Sequence, residues 1–255
     1  YNVYVYSTNM KKIISFKQFN KKRLKWAISL NKDKKVNQLS KKLYISGDKH
    51  NFCYLYNWHG EPMLQTPDDI LTLQEIIFET KPDIIIEVGV AWAGTLLLYD
   101  TLSNFADIKK IIGIDIFIPN DLKKRIFSKS KSKKIKLIAA DSTNLKTFEK
   151  IKKLCGKYKN ILIHLDSNHT KDHVLKEINL YSKLLRKNNY LIVGDTIIEN
   201  IPKQKHRKRE WSKGNNPMNA ITEFLKKNKN FKIDKKINFK QLLTNNPNGY
   251  LKKIR

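Results

Sequence analysis

Residues 81–95 read KPDIIIEVGVAWAGT, and the fold turns on how they are read. Pro82 stops whatever helix comes before it, and Ile84, Ile85, Ile86 and Val88 make a short β-branched run. Such a run is apolar on both faces, as a central strand of a parallel sheet must be when helices cover both sides. The strand closes on Glu87 and Gly89, then turns through Ala91, Ala93 and Gly94 into the apolar segment LLLY. Small residues let the backbone approach a ligand, and the first turn of the next helix offers unpaired N–H groups to an anionic group. An acidic residue at the strand end suits ribose hydroxyls or an ammonium. The stretch is therefore a candidate small-cofactor site.

The pattern continues outward from this turn. Upstream, TPDD at residues 66–69 is a helix start, with Thr66 as cap, Pro67 in the first turn and Asp69 completing a capping box. Ile70, Leu73 and Ile77 then share one helical face. Downstream, IIGIDI ends a second buried strand in Asp115, and IKLIA a third, followed by Asp141, Ser142 and Thr143. NILIHLD is a fourth strand ending in Asp166, and YLIVGD a fifth ending in Asp195. Between the last two, residues 172–185 form an amphipathic helix with Val174, Ile178, Tyr181 and Leu185 inward. FKID, KQLLT and YLKKI are expected as closing strands, the last two joined as a hairpin through NNPNG. Strands alternating with helices predict an α/β fold, a doubly wound and mostly parallel sheet with an antiparallel C-terminal edge hairpin.

Glu87, Asp115, Asp141, Asp166 and Asp195 all fall at or just past the C-terminal ends of successive strands. Open α/β sheets bind their ligands along that edge. One such Asp would be read as a helix cap. Five in order point to a site. The first two suit a nucleoside, and Asp166 with Asp195 suits Mg²⁺, a hard cation held by carboxylates and waters.

Composition sets the bounds. The 255 residues carry 51 Lys and Arg against 23 Asp and Glu, a net charge of +28. That excess suits anionic partners, a nucleic acid or an anionic membrane surface, but the lysines are scattered, and a general bias of composition accounts for them more simply. No apolar run approaches the roughly 20 residues of a membrane-spanning helix. Cys53 and Cys155 have neither metal-ligand nor disulfide spacing, and a reducing cytoplasm is the expected compartment. Residues 1–65 are expected to be a basic, partly helical N-terminal extension, with KRLKWAISL as its helix-like patch, suited to a membrane surface or a neighbouring subunit. Residues 66–255 are the expected catalytic domain. A basic loop at 202–216, with Arg207 and Arg209, is expected as a lid over the strand ends.

By Asp195 the chain resembles class I S-adenosylmethionine-dependent methyltransferases, and within them the family named for cephalosporin hydroxylase, which includes rhamnosyl O-methyltransferases. The matching pieces are WHGEPMLQTPDDILTLQEIIFETKPDIIIEVGVAWAGTLLLY, IIGIDI, LDSNHTKDHVLKEINLY, GDTIIENIP, GNNPMNAITEFL and NPNGYLKKI, over residues 58–254. The resemblance implies that Glu87, Gly89 and Gly94 hold the methionine end of S-adenosylmethionine. Asp115 would take the ribose, and Asp141 and Ser142 would flank the adenine. Asp166 and Asp195 would ligate Mg²⁺, with Glu199 recruited because Gly194 stands where some members carry a carboxylate. Ala93 replaces a usual glycine, and Asn168 replaces an aspartate. With Asn168 unable to act as a base, His169 is left as the proton acceptor beside Asp166. His173 and His164 read as packing residues. The implied activity is Mg²⁺-dependent O-methylation of a sugar hydroxyl in a surface glycan or glycolipid, by a homo-oligomeric cytoplasmic enzyme. RNA methylation is one alternative reading, and a non-catalytic relative that binds the cofactor is the other.

Overall fold

The structure, a computed structural model, describes residues 2–5 and 12–255, with side chains from residue 14 onward. Residues 1 and 6–11 of the expected extension lie outside the described residues. The central sheet has strands β1 (Ile84–Val88), β2 (Lys110–Asp115), β3 (Ile135–Ala139), β4 (Ile161–Leu165), β5 (Tyr190–Val193), β6 (Phe231–Ile233) and β7 (Tyr250–Lys253). Their order is β6-β7-β5-β4-β1-β2-β3, with β1 to β5 parallel and β7 antiparallel to both its neighbours, β5 and β6. β1 and β4 are buried at all five positions, as strands sandwiched between helical layers must be.

Along β1 the side chains alternate. Ile84, Ile86 and Val88 join one core with α6 (Leu145–Cys155), α7 (Lys171–Tyr181) and α8 (Pro217–Lys227). Ile85 joins the other core with α3 (Pro67–Thr80), α4 (Gly94–Leu102) and α5 (Asn120–Lys129). The period of two therefore turns Glu87 toward the α4 layer, beside Tyr99 and His164. Val174, Ile178, Tyr181 and Leu185 are all buried, as the periodicity of that helix predicts.

The antiparallel edge is present, but its partner differs from the expected one. Phe231–Ile233 pairs with Tyr250–Lys253, and residues 240–244 form no strand. Backbone donors in and just after this segment are already engaged: the N–H groups of Leu242 and Leu243 donate to Asp68 Oδ2, and that of Asn245, the next residue, to Asp69 Oδ2. The first turn of α3 thus captures the segment that β-propensity assigned to the sheet.

Helices α1 (Phe16–Lys32) and α2 (Lys34–Asp48) precede the sheet. α1 buries no residue, whereas α2 buries Tyr44 and Asp48. Tyr44 donates to Asn245 Oδ1 at 2.7 Å, tying α2 to the loop before β7. Among the described residues no helix is long and apolar enough to cross a membrane.

Candidate active site

Two cavities open along the C-terminal strand ends and meet at Gly89, Ala91 and Asp166. The larger, of ≈ 500 Å³, lies over β2, β3 and β4 and is bordered by Asp115, Asp141, Ser142, His173 and Trp211. The smaller, of ≈ 90 Å³, is bordered by Glu87, Asp166, His169 and Asp195 on one side and Tyr44, Asp48 and Gln65 on the other.

The turn after β1 has the geometry its small residues allow. Gly89 has φ +93, and a Cβ there would stand 2.3 Å from the carbonyl oxygen of Asp166. Ala91 and Ala93 also take left-handed backbone, at φ 45 and 65. Ala93 thus keeps a glycine-like conformation where a glycine is usual, at a cost of about 1–2 kcal/mol. Asp115 fixes the turn from beside it: its Oδ2 accepts from Val90 N at 2.8 Å and from Ala91 N at 3.2 Å. Gly94 borders the smaller cavity, but the space of its missing side chain is taken by the Pro62 carbonyl, 2.4 Å from where a Cβ would be.

Glu87 is 2 % exposed, and its Oε2 has no hydrogen-bond partner. Its Oε1 lies 3.7 Å from His164 Nδ1, which is already within 2.9 Å of the Tyr99 hydroxyl. Burial, then the charge of Asp166, pushes the Glu87 carboxyl well above the usual range. Burial alone lowers His164 to about 4, so the ring is neutral and does not neutralise Glu87. Thr95 supplies one side-chain hydrogen bond to this carboxyl, but a buried carboxyl oxygen left without a partner beside a cavity is costly unless a ligand pairs with it.

Asp166 accepts from Gln65 Nε2 at 2.9 Å, and the Gln65 Oε1 is a buried acceptor without a partner. Burial and the nearby Asp195 raise the Asp166 carboxyl well above its ordinary value. Asp195 has left-handed backbone, φ 55, held by its N–H donating to Asn246 Oδ1. Its Oδ2 is 3.2 Å from His169 Nε2, and the His169 ring meets Trp211 edge-on at 4.8 Å. Burial lowers the His169 pKa while Asp195 opposes the shift, which favours a neutral imidazole. The oxygens of Asp166, Asp195 and Gln65 make a hard donor set fit for Mg²⁺, which takes one or two carboxylates and keeps its waters. Among the described residues no three His, Cys, Asp or Glu side chains are grouped as a metal site.

Three of the expected site residues are engaged elsewhere. Glu199 accepts from Gly214 N and Asn216 Nδ2, which outweigh its partial burial and lower its pKa; it borders neither cavity and holds the turn before α8 instead. The Ser142 hydroxyl donates to Glu177 Oε1, an atom that also accepts from Ser167 and lies 3.1 Å from His173 Nε2. Ser142 therefore borders the larger cavity with its hydroxyl turned to a buried cluster. Asp141 folds onto Thr143, accepting from its N–H and hydroxyl, both at 2.8 Å, and these bonds lower its pKa. Asn168 likewise accepts from Thr170 N and hydroxyl, which holds the turn before α7.

Residues assigned to the extension form part of the wall. Asp48 accepts from Arg207 Nη2 at 2.8 Å and Gln204 Nε2 at 2.8 Å, and Arg207 lies over the Tyr54 ring at 4.8 Å. The basic loop reaches the strand ends, where Gln204 and Arg207 border the smaller cavity, and Arg207 anchors it to α2 through Asp48. Gln65, Asp48 and Trp211 were not singled out by sequence reading. Only Gln65 and Trp211 carry a local signal, the first beside the Thr66 cap and the second as an aromatic amid basic residues.

The family model described as rhamnosyl O-methyltransferase/CmcI matches residues 50–254. The rhamnosyl O-methyltransferase of Mycobacterium leprae is 29% identical over 147 residues, covering 57% of this chain and 62% of the relative. That of Mycobacterium tuberculosis is 29% identical over 138 residues, 52% of this chain and 54% of the relative. The chain thus spans less than two thirds of the length of these curated relatives. Among solved structures, ligand-free CmcI superposes with a TM-score of 0.56 at 20% identity, covering 79% of this chain and 77% of that one. A CmcI structure with Mg and SAM gives 0.53 at 20% identity, with 79% and 78% covered. At that identity the likeness is one of fold.

Proposed function

The chain belongs to the rhamnosyl O-methyltransferase/CmcI family, and from that premise we propose that it is an S-adenosylmethionine-dependent O-methyltransferase acting, with Mg²⁺, on a sugar hydroxyl. The observation that carries the reading is Glu87, a buried carboxyl with an unpartnered oxygen that borders the smaller cavity, two residues before Gly89, where that cavity meets the nucleoside-sized one. An ammonium is the group that would satisfy it. When bound, S-adenosylmethionine supplies a methyl on a positive sulfonium, and Mg²⁺ supplies Lewis acidity at the acceptor hydroxyl.

The chain's own residues have distinct tasks in this reading. Glu87 receives the ammonium, and Gly89 and Ala91 bring backbone against the cofactor where the cavities meet. Asp115 orders that turn and offers its remaining lone pairs to the ribose. Asp166 and Asp195 hold the cation, with the Gln65 carbonyl as a third oxygen. His169, neutral and paired with Asp195, takes the acceptor's proton on its ring. Tyr54 and Trp92, both partly exposed near the smaller cavity, suit the apolar face of a sugar ring. Ser142 and Glu199 keep structural tasks.

The test is direct. S-adenosylhomocysteine should raise the melting temperature, as any ligand of the native state does, and methyl transfer to rhamnose-bearing acceptors should cease in excess chelator and return with Mg²⁺. Tight NADH binding without any response to S-adenosylhomocysteine would overturn the cofactor assignment, and transfer that survives chelation would remove the metal.

A further inference from the structure

α2 has two working faces. Its inward face supplies Tyr44 and Asp48 to the wall of the smaller cavity. Its outward face carries Leu39 and Leu43, one turn apart and 56% and 59% exposed, flanked by Lys35 and Lys42. α1 presents Lys17, Lys21, Lys25 and Lys32 at spacings of four and seven residues, all exposed, and on another face Trp26, 53% exposed, one turn after Lys22. Residues 16–48 hold ten Lys and Arg against two Asp. Both acids are committed within the fold: Asp33 accepts from Val36 N as the cap of α2, and Asp48 holds Arg207.

Single exposed leucines are ordinary on a protein surface. Two leucines and a tryptophan embedded in a field of uncompensated cations are less so. A soluble polyanion would engage the lysines alone, and a second copy of this chain would bring its own ten cations against them. An anionic lipid surface satisfies both components, with the apolar side chains entering the headgroup boundary and the lysines meeting phosphate charge. We propose that α1 and α2 dock the protein on an anionic lipid bilayer, so that a lipid-linked sugar reaches the smaller cavity past Tyr44 and Asp48. The last clause rests on the acceptor reading above; the docking itself does not.

Vesicle flotation tests it, with the full chain and neither cofactor nor acceptor present. The protein should float with phosphatidylcholine vesicles containing phosphatidylglycerol, stay behind with phosphatidylcholine alone, and be released by high salt. Lys21→Ser with Lys22→Ser and Lys25→Ser should weaken partitioning about a hundredfold. Leu39→Ser with Leu43→Ser should weaken it about tenfold at unchanged charge. Both variants should retain their circular dichroism and S-adenosylhomocysteine binding, because none of these residues borders either cavity. Equal binding to neutral vesicles would overturn the proposal. So would a serine pair that binds anionic vesicles normally but changes the molecular mass in light scattering, which would make the leucine face a contact between copies. Tighter capture by single-stranded RNA than by anionic vesicles, unaffected by the leucine changes, would make the surface a nucleic-acid one.

Discussion

Replacing Glu87 by Gln keeps the shape of the side chain and removes its charge. In the free protein this carboxyl is buried, one oxygen has no partner, and burial holds its pKa well above the usual range. A raised folded-state value means that the protonated form is favoured, so its stabilising contribution is complete below the unfolded value of 4.5 and is lost as pH rises toward the folded value. Glu87→Gln imitates the protonated form at every pH. The variant should therefore be at least as stable as the parent at neutral pH, by a margin that grows as pH rises. Cofactor binding should move the other way. Losing a charge-assisted hydrogen bond to a buried ammonium costs about 1.5–3 kcal/mol, or roughly ten- to 150-fold in affinity. Moreover, an ammonium would require the ionised carboxylate, so binding should release a proton. Calorimetry of S-adenosylhomocysteine binding in buffers of different ionisation enthalpy would detect that proton in the parent and not in Glu87→Gln. Destabilisation of the variant together with unaltered affinity would refute the whole argument, because Glu87 would then be a structural residue satisfied within the fold.

Other outcomes follow from single contacts. Asp69 is fully buried, and burial raises it to about 6 against the pull of Thr244, Asn245, Thr66 and Tyr250. Its protonated form is thus favoured by folding, a contribution present below the unfolded value of 3.8 and lost as pH rises through about 6. Denaturation from pH 4 to 7 should show about 2 kcal/mol lost over that window relative to Asp69→Asn; parallel curves for the two proteins would contradict it. Gly194→Ala would put a methyl 2.1 Å from Asp166 Oδ1, and the forced shift should cost about 1–3 kcal/mol in thermal denaturation and most of the turnover. Arg207→Ala leaves Asp48 buried with fewer donors; hydrogen exchange should rise across residues 202–216 and KM for the acceptor should increase, while affinity for S-adenosylhomocysteine stays the same.

The sheet was legible because its strands obey one local rule. β1, β4 and β5 are apolar at nearly every position, and being buried on both faces leaves no other reading of such short runs. The strand-end acids could also be read by position, since the C-terminal edge of a parallel sheet is set once the strands are. What each acid does there could not be read, because that depends on partners distant in sequence. The contact of Gln65 with Asp166 spans 101 residues, and that of Arg207 with Asp48 spans 159. Residues 240–244 failed as a strand for a related reason: two aspartates in the first turn of α3 took backbone donors in and just after the segment, a competition invisible to local propensity. Glu199 was misplaced because a carboxylate near a strand end was given a ligand before its own neighbours, Gly214 and Asn216, were known.

The glycines share a purpose that their positions in the sequence conceal. Gly89 and Gly94 come from the turn between β1 and α4 and Gly194 from the end of β5, and at each a Cβ would collide with a neighbour. At Gly89 the neighbour is the Asp166 backbone, and at Gly194 it is the Asp166 carboxylate. At Gly94 it is the Pro62 carbonyl, in the segment that brings Gln65 to Asp166 three residues later. All three absences of a side chain therefore serve the placement of one carboxylate at the point where the two cavities meet. A turn shaped only for a cofactor would need its glycines open to the cavity. Here the openings are filled by protein, and the residue they position is the one on which the proposed cation and the proposed acceptor both depend. At Gly194, where some members of the family carry a carboxylate, a side chain would displace Asp166 itself.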